Sequence, residues 1–168
     1  MKRLTHLDAR GRARMVDVTA KPVTQREAVA RGFVSLKKET LDLVQEGNIA
    51  KGDVLAAARL AGILAAKQVH TLIPLCHPLM ITAAEVTFQE RLHPTAGIAI
   101  ESRVKTAGQT GAEMEALTAV AAAALTIYDM CKAVDKEMAV GEIRLVYKAG
   151  GRSGTYRRPG EPPPARHD

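Results

Sequence analysis

The stretch Met80-Ile81-Thr82-Ala83-Ala84-Glu85-Val86-Thr87-Phe88-Gln89 decides the fold. Met80, Thr82, Ala84, Val86 and Phe88 share one side of an alternating pattern, the period of a strand with one buried face. Ile98 to Val104 alternates in the same way, and Arg91 to Gly97 supplies a turn, so the two runs predict a β-hairpin. Downstream, Gly108-Gln109-Thr110-Gly111 opens an Ala-rich segment that reads as one long helix from about Ala112 to Val134, followed by a strand over Ile143 to Lys148.

Upstream, Met15-Val16-Asp17-Val18 is short and β-prone. Thr24 and Glu27 have the spacing of a capping box, which predicts a helix over Gln25 to Phe33. A second helix is expected over Lys37 to Glu46, stopped by Gly47-Asn48, and a third from an N-cap at Asp53 to about Val69. Pro74 and Pro78 bracket Leu75-Cys76-His77 and should hold it extended. The order is strand, helices, hairpin, long helix, strand. It matches an α+β fold of the ferredoxin-like, split βαβ type, an antiparallel sheet covered by helices. Residues 15–158 are expected to form a single domain, after a flexible arm at 1–14 and before a Pro-rich, disordered tail at 159–168.

Composition narrows the function classes. The 168 residues are 46% hydrophobic and 25% charged, the balance of a globular domain. Aromatics are 3%, so the core must rest on small aliphatic side chains that let helices approach closely but bury little area each. Subunit contacts are a natural supplement. A net charge of +6 and a pI near 9.5 favour a polyanionic partner. Cys76 and Cys131 lack disulfide-scaffold or metal-ligand spacing, and the N-terminus lacks the apolar run of a signal peptide. The Ala-rich run Ala116 to Ile127 is too short to span a bilayer, so no membrane role is expected. The chain reads as cytoplasmic.

Within the long helix, Asp129 and Lys132 are i, i+3 neighbours. An ordinary helix ion pair explains them; so does a carboxylate and an amine kept together for proton transfer, with partial burial moving both toward neutrality. Glu113 and Glu115 open the same helix, where acids suit the dipole, and point about 200° apart, so they cannot form a dyad. Glu115 and Asp129 share a face within about 40° but lie roughly 21 Å apart along the axis. One chain cannot bring both to one reacting atom; if both are functional, they serve distant parts of a substrate or sites shared between subunits.

His77 reads either as a buried structural histidine or as a residue held stiffly against a ligand. A metal site is not expected, because no second cluster of ligands accompanies Cys76 and His77. Lys51 precedes a helix start, and Lys148 leads into Gly150-Gly151-Arg152, so each has backbone N–H groups nearby that suit phosphate. Neither a Walker A motif nor G-x-G-x-x-G occurs. A basic module binding RNA through its sheet would need aromatic side chains to stack bases. Only Phe88 and Tyr147 fall on predicted strands, so nucleic acid is not the expected partner.

At these same residues the sequence resembles the cyclic pyranopterin monophosphate synthases of molybdenum-cofactor biosynthesis. The resemblance runs over about residues 3–155, including Gly111 to Thr118, and most specifically through Leu72 to Met80 and Leu125 to Val134. It implies a lyase that converts 3′,8-cyclo-7,8-dihydroguanosine 5′-triphosphate to cyclic pyranopterin monophosphate and diphosphate. It further implies a homo-hexamer, a trimer of dimers, with sites at the dimer interface. By motif match Asp129 and Lys132 are catalytic, with Lys51 a further cation or acid. Leu75, Cys76, His77, Glu113, Met114, Glu115 and Lys148 fall on pocket positions, and Arg26 and Arg152 are candidates for the phosphates. No resident cofactor is implied; a magnesium ion travelling with the triphosphate is the one left open. The C-terminal motif departs from the family's usual Ser and Lys, reading Ala149 and Arg152, and Arg presents a different geometry to phosphate.

Overall fold

A computed structural model of the chain describes residues 10–164. The order is β1 (Thr24–Ser35), α1 (Lys38–Gln45), α2 (Val54–Lys67), α3 (Val69–Leu72), β2 (Ile81–Arg91), β3 (Gly97–Gly108), α4 (Glu113–Cys131), β4 (Ala139–Ala149) and β5 (Tyr156–Arg157). The strands form one antiparallel sheet in the order β2-β3-β1-β4-β5, the ferredoxin-like α+β arrangement. The hairpin over β2 and β3 and the long helix α4 stand where the alternation and the Ala-rich run put them. Asp53 caps α2 as expected, its carboxylate accepting from the Ala56 N–H at 2.9 Å.

Two early segments differ from their sequence reading. Gln25 to Phe33 is not a helix but the middle of β1. This strand lies between β3 and β4 and is covered on both faces, so its pattern is nearly continuous rather than alternating. Ala28, Ala30 and Val34 join the helix-side core, while Val29 and Phe33 are buried without belonging to it. No capping box forms: the Thr24 hydroxyl is buried with no partner. Met15 to Val18 is not a strand either; it is an irregular segment that crosses the end of the sheet.

The core sits between the sheet and the α2/α4 layer. Small residues allow the two helices to close on each other. A Cβ at Gly62 would stand 2.9 Å from the Ala119 carbonyl oxygen and 3.0 Å from a Val86 methyl. By length and composition α4 could cross a bilayer, contrary to the reading of the shorter run within it, but eight of its residues are buried in this fold.

The Pro-rich tail, expected to be disordered, is fastened as far as it is described. Just before it, the Arg158 N–H donates to the Val146 carbonyl at 2.9 Å. Glu161 then pairs with both Arg31, at 2.9 Å, and Arg144 on the sheet face away from the helices. The remainder of the tail, 165–168, and residues 1–9 of the N-terminal arm lie outside the described residues.

Candidate active site

Strand register gathers distant residues at one end of the sheet. Thr24 pairs with Gly108, and Ala28 with Lys148, so the start of β1 lies beside the ends of β3 and β4. The first turn of α4 projects over this end. A cavity of about 370 Å³ opens here, lined by Val16, Val18, Lys21, Leu75, Cys76, His77, Leu79, Thr110, Gly111, Glu113, Met114 and Glu115. Six of the expected pocket residues therefore meet in one place: Leu75, Cys76, His77, Glu113, Met114 and Glu115.

The proline-framed segment is held from one side. His77 Nε2 lies 2.8 Å from the Val16 carbonyl oxygen, which only accepts, so Nε2 carries the proton. That bond ties the irregular 15–18 segment to the cavity wall. Glu113 turns toward Lys148, its carboxylate 2.8 Å from the ammonium group. Gly111 makes room for it, since a Cβ there would overlap the Glu113 carboxylate.

Glu115 behaves differently. It is 4% exposed, and burial, reinforced by the charge on Glu113, pushes its carboxyl up to about 7 against a stabilising backbone hydrogen bond. Of the groups expected at the site, this one sits where a proton can be both held and released near neutral pH. The Cys76 thiol is pushed up as well, first by burial and then by the charge on Glu115.

A second cavity of about 320 Å³ adjoins the first through Lys21, and Arg26, Gly151 and Arg152 line it. Arg26 is not free to swing. It donates to the Gly108 carbonyl at 2.9 Å and to the Gln109 carbonyl at 3.2 Å. Gly151 adopts a φ of +72° directly over its guanidinium, and a Cβ there would strike Nη1. Arg26 thus braces the 108–111 turn against the 150–154 loop while facing the cavity.

Asp129, Lys132 and Lys51 come together at the opposite end of α4. Lys132 Nζ is 2.6 Å from Asp129 Oδ1, and Lys51 Nζ is 2.8 Å from Oδ2. Lys51 also donates to the Asp129 backbone carbonyl at 2.8 Å, where a cation suits the helix C-terminus. All three side chains are about half exposed: 56% for Asp129, 53% for Lys132 and 46% for Lys51. The proton-transfer reading expected partial burial to move Asp129 and Lys132 toward neutrality, but burial is too slight to do so. Hydrogen bonds from Lys132, then Lys51, instead hold Asp129 down at about 2, and Asp129 raises Lys132.

The structure therefore makes two groups of the expected residues, roughly 21 Å apart at about 1.5 Å per residue of α4. Sequence reasoning missed Lys21 and Thr110. Lys21 stands directly before Pro22, which restricts its backbone, and Thr110 lies inside the Gly108–Gly111 turn that leads into α4. Among the described residues no group of three or more His, Cys, Asp or Glu side chains is placed to hold a metal ion.

The model of the MoaC family matches residues 15–151. The cyclic pyranopterin monophosphate synthase of Thermomicrobium roseum is 62% identical over 167 residues, which is 99% of each chain. The enzyme of the same name from Pelotomaculum thermopropionicum is 59% identical over 161 residues, 96% of this chain and 94% of the relative. That of Heliobacterium modesticaldum is 62% identical over 159 residues, 94% and 99% of the two chains.

Proposed function

The chain belongs to the MoaC family, and from that premise we infer that it converts 3′,8-cyclo-7,8-dihydroguanosine 5′-triphosphate to cyclic pyranopterin monophosphate, releasing diphosphate, as a lyase of molybdenum-cofactor biosynthesis. The observation that carries the reading is the convergence of two lysine ammonium groups on Asp129, one of them, Lys51, from 78 residues away in sequence. Such a cluster has little value to stability on an open surface, and is better explained by chemistry.

The reaction has two parts. The purine-derived ring must open and close again as a pyranopterin, which requires several proton transfers. A hydroxyl must then attack the α-phosphorus, forming the cyclic phosphate while diphosphate departs. Lys132 gives and takes protons in the first part, with Asp129 fixing its position and charge and Lys51 supplying a second ammonium group. His77, whose Nε2 proton is committed to Val16, orients the base or ribose through its remaining ring face and nitrogen. Glu115 returns a proton at the ring, a role its position near pH 7 permits. Lys148, Lys21, Arg26 and Arg152 offer positive charge to the phosphates and the leaving diphosphate. A magnesium ion, if used, comes with the triphosphate as part of the substrate.

One chain holds the cavity and the lysine–aspartate cluster too far apart for one reacting centre. The reading therefore includes a homo-oligomer, a hexamer built from dimers, in which one protomer's cluster closes over its partner's cavity. Exposed apolar side chains support this. Leu60 and Leu64, one turn apart on α2, and Leu125 on α4 are 63%, 57% and 61% exposed on the helical layer. A cytoplasmic location accords with a nucleotide substrate and two cysteines that are free in the fold.

Incubation with the cyclic dihydroguanosine triphosphate tests the function directly. Diphosphate and a pterin should appear in equal amounts. Binding without conversion by a correctly assembled protein contradicts it.

A further inference from the structure

The turn after Lys132 is held from within by a carboxylate that the reaction does not use. Asp135 is 1% exposed. Its Oδ2 accepts from the Lys37 backbone N–H at 2.9 Å and from the Thr40 hydroxyl at 3.3 Å, and its Oδ1 accepts from the Glu137 N–H at 3.0 Å. The N–H groups of Val134 and Asp135 both return to the Cys131 carbonyl, at 2.9 and 3.1 Å. Residues 131–137 thus close into a compact turn around this side chain.

The same carboxylate reaches a second element. Lys37 is the N-cap of α1, and its own side chain makes no capping bond. Asp135 instead accepts from the N–H of the N-cap residue itself, one of the helix's first four unpaired donors, and from the hydroxyl of Thr40 in its first turn. Burial works to raise the Asp135 carboxyl, yet its N–H and hydroxyl donors hold it below the usual range. At its other end α1 stops at Gln45, and a short turn anchored by buried Ile49 leads directly to Lys51. One buried group therefore joins the segment that carries Lys132 to the helix that delivers Lys51.

This junction matters because half-exposed ion pairs do not hold long side chains in one geometry by themselves. Convergence of two flexible amines on Asp129 has to be set by the backbones that present them. We propose that Asp135 is a positioning residue for the Asp129 cluster, locking the turn bearing Lys132 against α1 so that both ammonium groups meet the aspartate. The proposal rests on the reading of that cluster as chemically active.

Asp135→Asn keeps the shape and one acceptor oxygen but presents an amide donor to donors on α1. Turnover, kcat, should fall about 10- to 100-fold, the scale of a misplaced catalytic group. KM should stay within about threefold, since the substrate pocket is not touched. Assembly and circular dichroism should match wild type. Lys37→Pro tests the same bond from the donor side: φ at Lys37 is −67°, which proline adopts without strain, so the backbone change is loss of the N–H. Lys37→Ala removes only the exposed side chain and should keep wild-type kcat. A kcat several-fold lower in Lys37→Pro than in Lys37→Ala supports the brace even where Asp135→Asn fails to assemble. Equal kcat in the two Lys37 variants, wild-type kcat in Asp135→Asn, or a loss confined to KM overturns it. Should Lys132→Met turn over normally, the reading of the cluster falls and takes the brace with it. Should Lys132→Met be inactive while the brace variants are normal, only the brace falls.

Discussion

The two ends of α4 carry acidic residues of the same kind in opposite states. At the N-terminal end Glu115 is buried, and its carboxyl rises to about 7. At the C-terminal end Asp129 is open to solvent, held by two lysines, and sits at about 2. Desolvation governs the first and pairing the second, as expected when burial and opposite charge act in separate places. An active site needs both conditions around one substrate, and a single chain provides them at opposite ends of a 19-residue helix. The proposed assembly answers this division: on that reading each protomer would hold halves of two different sites.

The strongest challenge to this contrast is removal of the cluster's amine. Lys132→Met should lower kcat by about 1,000-fold or more, in the upper range for a lost acid–base group. Fold and assembly should persist by circular dichroism and sedimentation, because the side chain is half exposed. Substantial turnover would make the cluster a solvated ion pair and nothing else.

Glu115→Gln acts on the buried end and should cost about 100-fold in kcat. It should also change the pH dependence of stability. Between the ordinary glutamate value of 4.5 and about 7 the folded protein keeps a proton that the unfolded chain has released. Stability therefore falls as pH rises through that window, and levels off above it. Urea midpoints measured from pH 4.5 to 8 should decline more in wild type than in Glu115→Gln. Parallel curves would show that Glu115 is ionised throughout.

Gly62→Ala tests the helix that carries both ends. The added methyl meets the Ala119 carbonyl and Val86, and should cost about 1–3 kcal/mol of stability as overpacking, read from the urea midpoint. An unchanged midpoint would show that α2 and α4 are loosely seated. The smallest expected effect is that of Asp129→Asn on stability. The group is exposed, so the urea midpoint should not move even though turnover is lost; a large shift would make Asp129 structural.

Legibility in the sequence followed burial pattern. Alternation or Ala-rich continuity located β2, β3 and α4, although a register shift between Ile81 and Ala83 leaves Met80 and Thr82 exposed rather than on the buried face. β1 is covered on both faces, which erases alternation, and the Thr24–Glu27 spacing then imitated a helix start. The tail misled for a related reason: its prolines signal an absence of regular structure, and nothing local announces that Glu161 will meet Arg31 and Arg144 across the sheet. At the site, Leu75–His77 and Glu113–Glu115 were marked by the family resemblance, whose motifs are contiguous stretches of sequence. Lys21 and Thr110 were not, since only the β1–β3 register brings their segments to the same cavity. The separation of Asp129 from Glu115 was legible from helix geometry alone. Their charge states depended on solvent exposure, which spacing does not report.

Subunit complementation tests the division of the site most directly. Asp129→Asn and Glu115→Gln chains, each impaired alone, are coexpressed and purified as mixed assemblies. If a site takes its cluster from one protomer and its cavity from the partner, mixed dimers contain one intact site, and activity should recover to about a quarter of wild type for random pairing across a two-fold interface. Activity no higher than that of the parent variants, in assemblies shown to contain both chains, would contradict the account.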